Sequence, residues 1–151
     1  MGQLLDFHIY LLHPKLIHFP IALFMSAMGL EVLSLVSNKD NLHRTALHIY
    51  ILATLVAPLA VLTGLQEAQY LHLTHPVLTT HKTFALLTMW GSLASLPILW
   101  VLKKNIKMFR IVFLIFTLII ATFVTIAGHN GGRMVYEYGV GAEPAYRQAG
   151  D

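Results

Sequence analysis

Nine histidines and no cysteine set the chemistry open to this 151-residue chain. Without cysteine there are no disulfides, zinc ribbons, thiolate nucleophiles, Cys-ligated iron–sulfur clusters or covalently attached c-type haem. Neutral imidazole remains, and it ligates haem iron, copper, zinc and non-haem iron. A b-type haem needs two axial histidines from different helices at one depth, an apolar slot, and cations for its propionates. His18 and His81 are the favoured pair, and His13 and His129 would hold a second haem or support the first. Lys82 and Arg133, with Lys15, are the cations that could meet propionates. A catalytic zinc or facial-triad iron would add a carboxylate, for which Glu67 is the one well-placed acid; it equally suits orienting a histidine. No side chain is arranged as a nucleophile with its base, which favours an electron carrier or redox-complex subunit over a stand-alone enzyme.

The elements that must position these groups are membrane helices. Apolar residues make up 56% of the chain and charged residues only 11%, against about 25% charged in soluble domains. That balance excludes a soluble enzyme, a disordered tail and a nucleic-acid binder. Four apolar windows reach the length a helix needs to cross a bilayer, about 20 residues. The expected spans are residues 16–36, 45–65, 77–102 and 109–128, with an outer tail at 129–151, in one domain. The fold class is all-α, an integral membrane four-helix bundle. Pro20 lies in the opening turn of the first span, Pro58 predicts a kink in the second, and Thr74-His75-Pro76 reads as a helix start. Leu4, Leu5, His8, Leu11 and Leu12 suggest a short interfacial helix, with no signal-peptide pattern. The glycine-rich run after Gly128 predicts a segment folded back over the helix ends.

Loop charges give an orientation. Lys39, Arg44, Lys103, Lys104, Lys107 and Arg110 gather on one face with a single acid, Asp40. The other face mixes Lys15, Lys82, Arg133 and Arg147 with Asp6, Glu67, Glu137, Glu143 and Asp151. The positive-inside rule assigns the first face to the cytoplasm. Both termini are then expected in the periplasm and the chain in the bacterial inner membrane.

The halves resemble each other: His13-Pro14-Lys15-Leu16-Ile17-His18 opens one hairpin and His75-Pro76 through His81 the next, with Thr63-Gly64 matched to Ala127-Gly128. Two helical hairpins in parallel orientation would follow. His13, His18, His72, His75, His81 and His129 fall at the outer helix ends, whereas His43 and His48 belong to the opposite side. Helical spacing from His18 reaches Ala22, Met25 and Gly29; from His81 it reaches Ala85, Thr88, Ser92 and Ser95. Such small residues serve close helix packing or leave room for a flat cofactor. Glu31, near the other end of the first span, is expected to snorkel or to pair with Arg44 or Lys39.

The motif His-Pro-x-x-x-His-Phe-Pro-Ile-Ala-Leu at His13–Leu23 and Gly-Gly-x-x-Val-Tyr-x-x-Gly-Val-Gly at Gly131–Gly141 resemble the domain of unknown function 2231 family of bacterial membrane proteins. The likeness spans nearly the whole chain. His13, His18, His81 and His129 fall on the family's histidine positions, and Tyr138 stands where many members would carry histidine. The resemblance implies a four-helix membrane domain, often near cytochrome-like modules, and no established activity.

Together these readings predict an electron-transfer protein with one or two b-type haems near the outer face, exchanging electrons with a quinone or a periplasmic cytochrome. A homo-oligomer or larger redox complex would suit that role. A non-catalytic membrane subunit or anchor, or a His-rich protein binding copper or zinc, is the alternative.

Overall fold

The computed structural model describes residues 13–70 and 75–140. The N-terminal segment with His8, His72 and the last residues of the chain lie outside the described residues. One helical turn, α1 (His13–Leu16), leads into α2 (His18–Ser37), α3 (Asp40–Tyr70), α4 (Pro76–Leu102) and α5 (Ile106–Tyr136). Among the described residues, four helical stretches are long and apolar enough to cross a membrane: His13–Ser37, Asp40–Gln69, Pro76–Leu102 and Ile106–Tyr136. At about 1.5 Å per residue α5 is roughly 46 Å long, more than the about 30 Å hydrocarbon layer, so it tilts or projects beyond it.

Each boundary has a local cause. Asn38 takes the left-handed conformation (φ 56°) that ends α2 and turns the chain into α3. His75 caps α4 by accepting from the Val77 N–H at 3.2 Å, with Pro76 following it at the first helical position. Asn105 caps α5 through the Met108 N–H at 3.2 Å. Both Pro58 and Pro97 lie inside continuous helices. The expected fold-back after Gly128 is corrected: α5 runs on through Gly128, Gly131 and Gly132, and ends before Gly139 at φ 63°. Gly139 alone among the described glycines needs the conformation that glycine favours.

The helices form a ring in which α2 packs on α3, α3 on α4, α4 on α5 and α5 on α2. Their inner faces are narrow. On α3 the buried positions Ala46, Tyr50, Ala53, Ala57 and Ala60 advance by fours and threes, bringing the helices close. Tyr50 is the hub: its ring meets Phe24 at 5.5 Å and Phe113 at 5.4 Å, both edge-on. Its hydroxyl is 2.9 Å from that of Ser95. Large apolar side chains such as Leu55, Leu59, Trp90, Ile98 and Ile115 stay on the outside, the surface a bilayer would cover. Lys103 sits over the Trp100 ring at 4.2 Å, an aromatic anchor at the basic end.

Tyr50→Phe should lower stability by about 1 kcal/mol, since interhelical hydrogen bonds in membranes contribute that order. Tyr50→Ala should lose about 3–5 kcal/mol, since it also leaves a cavity. Unfolding of reconstituted protein in mixed detergent checks both; equal losses would mean that the hydroxyl, not the ring, holds this layer.

Candidate functional site

His13 begins α1 and its ring reaches across to α3. Its Nδ1 lies 2.9 Å from the carbonyl oxygen of Ala60 and 3.3 Å from the Thr63 hydroxyl. That hydroxyl already donates to the Leu59 and Ala60 carbonyls, each at 3.0 Å. The His13 Nδ1–H therefore donates to Ala60 O, which in a neutral ring would leave the lone pair on Nε2. His81, in the second turn of α4, repeats the arrangement: its Nδ1–H donates to the Ala127 carbonyl on α5 at 2.8 Å. Donation of the distal N–H to a backbone carbonyl is how ligating histidines are oriented.

Glycines make room for both rings. A Cβ built at Gly64 would stand 2.6 Å from Cε1 of His13, and one at Gly131 3.3 Å from Cε1 of His81. Ala60 and Gly64, like Ala127 and Gly131, are four residues apart and share one helical stripe. The two halves thus share this contact, in a register that differs from the expected one. His13 corresponds to His81, and Gly64 to Gly131 rather than Gly128. The two ring centroids are 6.3 Å apart, with planes crossed at 83°.

His18 is placed elsewhere. The buried face of α2 runs through Pro20, Phe24, Ala27, Glu31 and Ser34. His18 is exposed with Ala22, Met25 and Gly29 below it, and Gly29 faces open space. The slot expected under His18 therefore lies on the outside of the bundle. On α4 the expected stripe is internal, with Thr88, Ser92 and Ser95 buried under His81. His129 is exposed, and Lys82 and Glu67 are half-buried. Arg133 donates to both oxygens of Glu137 at 3.0 and 2.9 Å. Tyr138 lies against the His75 ring, centroids 4.1 Å apart. Among the described residues no three His, Cys, Asp or Glu side chains gather as a metal-binding group.

A second cluster, at the basic end, is larger than the sequence suggested. Glu31 is wholly buried and neither snorkels nor meets Arg44 or Lys39; its Oε2 is 2.7 Å from Nδ1 of His43. Arg110 donates to Asp40 at 2.9 Å and to the Ser34 hydroxyl at 2.8 Å. The readable signal was symmetry about the Asn38 turn. Glu31 and His43 lie at comparable distances before and after it, so an antiparallel hairpin brings them together.

A family model described as predicted membrane protein (DUF2231) matches residues 11–144. No curated protein and no solved structure matches the chain. The match takes in all four membrane-length helices and every residue of the paired-histidine site, and the chain belongs to the DUF2231 family of predicted membrane proteins.

Proposed function

We propose that this protein is a b-type cytochrome of the membrane, carrying electrons through a haem held between His13 and His81. One observation supports the reading above others: two imidazole rings from different helices, each fixed at Nδ1 by a backbone carbonyl, stand 6.3 Å apart. A metal–nitrogen bond of about 2.0 Å plus about 1.1 Å from nitrogen to ring centre, taken twice, comes to about 6 Å, a separation compatible with both rings reaching one metal. Among the described residues these two histidines have no third donor beside them, whereas zinc or non-haem iron takes three or four protein ligands. A haem supplies the remaining four ligands itself. Lys82 and Arg133, with Lys15, would be the cations at this end for its propionates; the Arg133–Glu137 pair is exposed, so releasing it costs little.

The proposed partners are a quinone in the bilayer and a periplasmic cytochrome, with the histidine end outward in the bacterial inner membrane. An absorption spectrum of protein purified from haem-replete cells tests the haem. A Soret band and a reduced α-band are expected, at one haem per chain; a colourless, correctly folded protein would end the proposal.

Orientation has its own test, made clean by the lack of native cysteine. Asn41→Cys and Asn105→Cys, both at exposed sites on the basic end, should be shielded from an impermeant thiol reagent in intact cells. Gln148→Cys should react. The reverse pattern would invert the topology.

A further inference from the structure

Glu31 occupies the interior face of a membrane-length helix, 0% exposed, yet only one of its carboxyl oxygens has a partner. Its Oε1 is buried without a hydrogen bond. A carboxylate kept for a structural ion pair would use both oxygens and draw in the nearest cation. Here Arg110 reaches Ser34, on the same face of α2, and donates to that hydroxyl and to Asp40, while its own Nε is buried without a partner and does not meet Glu31. The partner of Glu31 is a titratable ring. His43 is clamped edge-on by Phe109 at 5.7 Å and Phe113 at 5.6 Å. The same ring, 14% exposed, lines an open cleft of about 230 Å³ with Asp40, Arg44, Lys103, Phe109 and Arg110. One side of His43 thus touches the buried carboxyl, and the ring also borders a water-accessible space.

We propose that Glu31 and His43 form a proton-binding site inside the membrane, loaded through the cleft from the Lys/Arg-rich face. Their 2.7 Å contact has two readings: Nδ1–H donating to a carboxylate, or a carboxyl O–H donating to bare Nδ1. Loading converts the first to the second. A hydronium in the cleft gives its proton to Nε2 of His43 and becomes water, while the Nδ1–H bond breaks and an O–H bond forms on Oε2. The ring stays neutral and changes tautomer; the carboxylate becomes a carboxyl. The charged groups around the pair are Asp40 and Arg44 from α3, Lys103 beyond α4 and Arg110 from α5. On α2 the only other ionisable side chain is His18, at the far end. Intramembrane Glu and His residues joined in this way are the usual parts of proton relays. The site lies at the opposite end of the bundle from the His13–His81 pair and stands independently of it.

Infrared difference spectra between acid and alkaline pH, recorded on full-length protein in lipid vesicles, test this. A Glu67→Gln background removes the carboxyl that, after Glu31, is the least exposed among the described residues. A carboxyl C=O band that shifts in heavy water is expected, absent in Glu31→Gln and displaced in Glu31→Asp. His43→Phe should keep the band but slow its appearance after a pH jump. No titrating band in the parent protein, a band unchanged in Glu31→Gln or Glu31→Asp, or equally fast loading in His43→Phe would overturn the proposal. The parent spectrum and Glu31→Asp decide the matter even if Glu31→Gln does not fold.

Discussion

His13→Ala and His81→Ala should each reduce low-spin haem to background, the largest effect expected of any single substitution in this chain. Either change removes one axial nitrogen and leaves the other imidazole alone, so any residual haem becomes five-coordinate and high-spin. His18→Ala, His129→Ala and His48→Ala, all at exposed positions, should retain the full spectrum. The comparison separates ligation from general damage, because haem content and yield of folded protein are measured on the same preparations. If His18→Ala, rather than His13→Ala, abolished the low-spin signal, the pairing of His13 with His81 would be refuted.

Gly64→Ala should come second in size. Its Cβ would stand 2.6 Å from Cε1 of His13, closer than two unbonded carbons sit. The ring cannot simply retreat, since its Nδ1–H is tied to Ala60 O at 2.9 Å. Either that bond or the helix contact must give, and loss of such a bond at a ligating histidine weakens metal binding about 10–100-fold. Gly131→Ala meets His81 at 3.3 Å, a gap that a few tenths of an ångström relieves, so its effect should be several-fold smaller. Haem titration of the two variants, with helix content followed by circular dichroism, checks the order. A Gly131→Ala defect equal to or larger than that of Gly64→Ala would contradict it.

Much of the fold was legible because lipid imposes a simple constraint. A chain with so few charges must satisfy its backbone internally, and long apolar windows then read as helices. The cap at His75-Pro76 was equally plain. Helix ends were less so: apolarity marks where lipid begins, not where hydrogen bonding stops. Hence α3 and α5 outrun their apolar windows, and Gly131 sits inside a helix where glycine suggested a turn. The candidate histidines stood out by type and by helix end. The adjacency of His13 and His81 did not, because motif spacing fixes distance along the chain but not the face presented inward. His18 and His13 are a turn and a half apart, and only the packing of α2 through Pro20, Phe24 and Ala27 turns His18 outward. Glu31 shows the same limit. Its depth was clear, but its partner depended on which side of α3 faced α2.

The most direct measurement of the central claim is the electron paramagnetic resonance spectrum of the oxidised, haem-loaded protein. If His13 and His81 hold one iron with their planes crossed at 83° as in the structure, a strongly anisotropic low-spin ferric signal is expected at one spin per chain. A high-spin spectrum from the intact wild-type protein, or no haem signal after loading, would contradict ligation by His13 and His81.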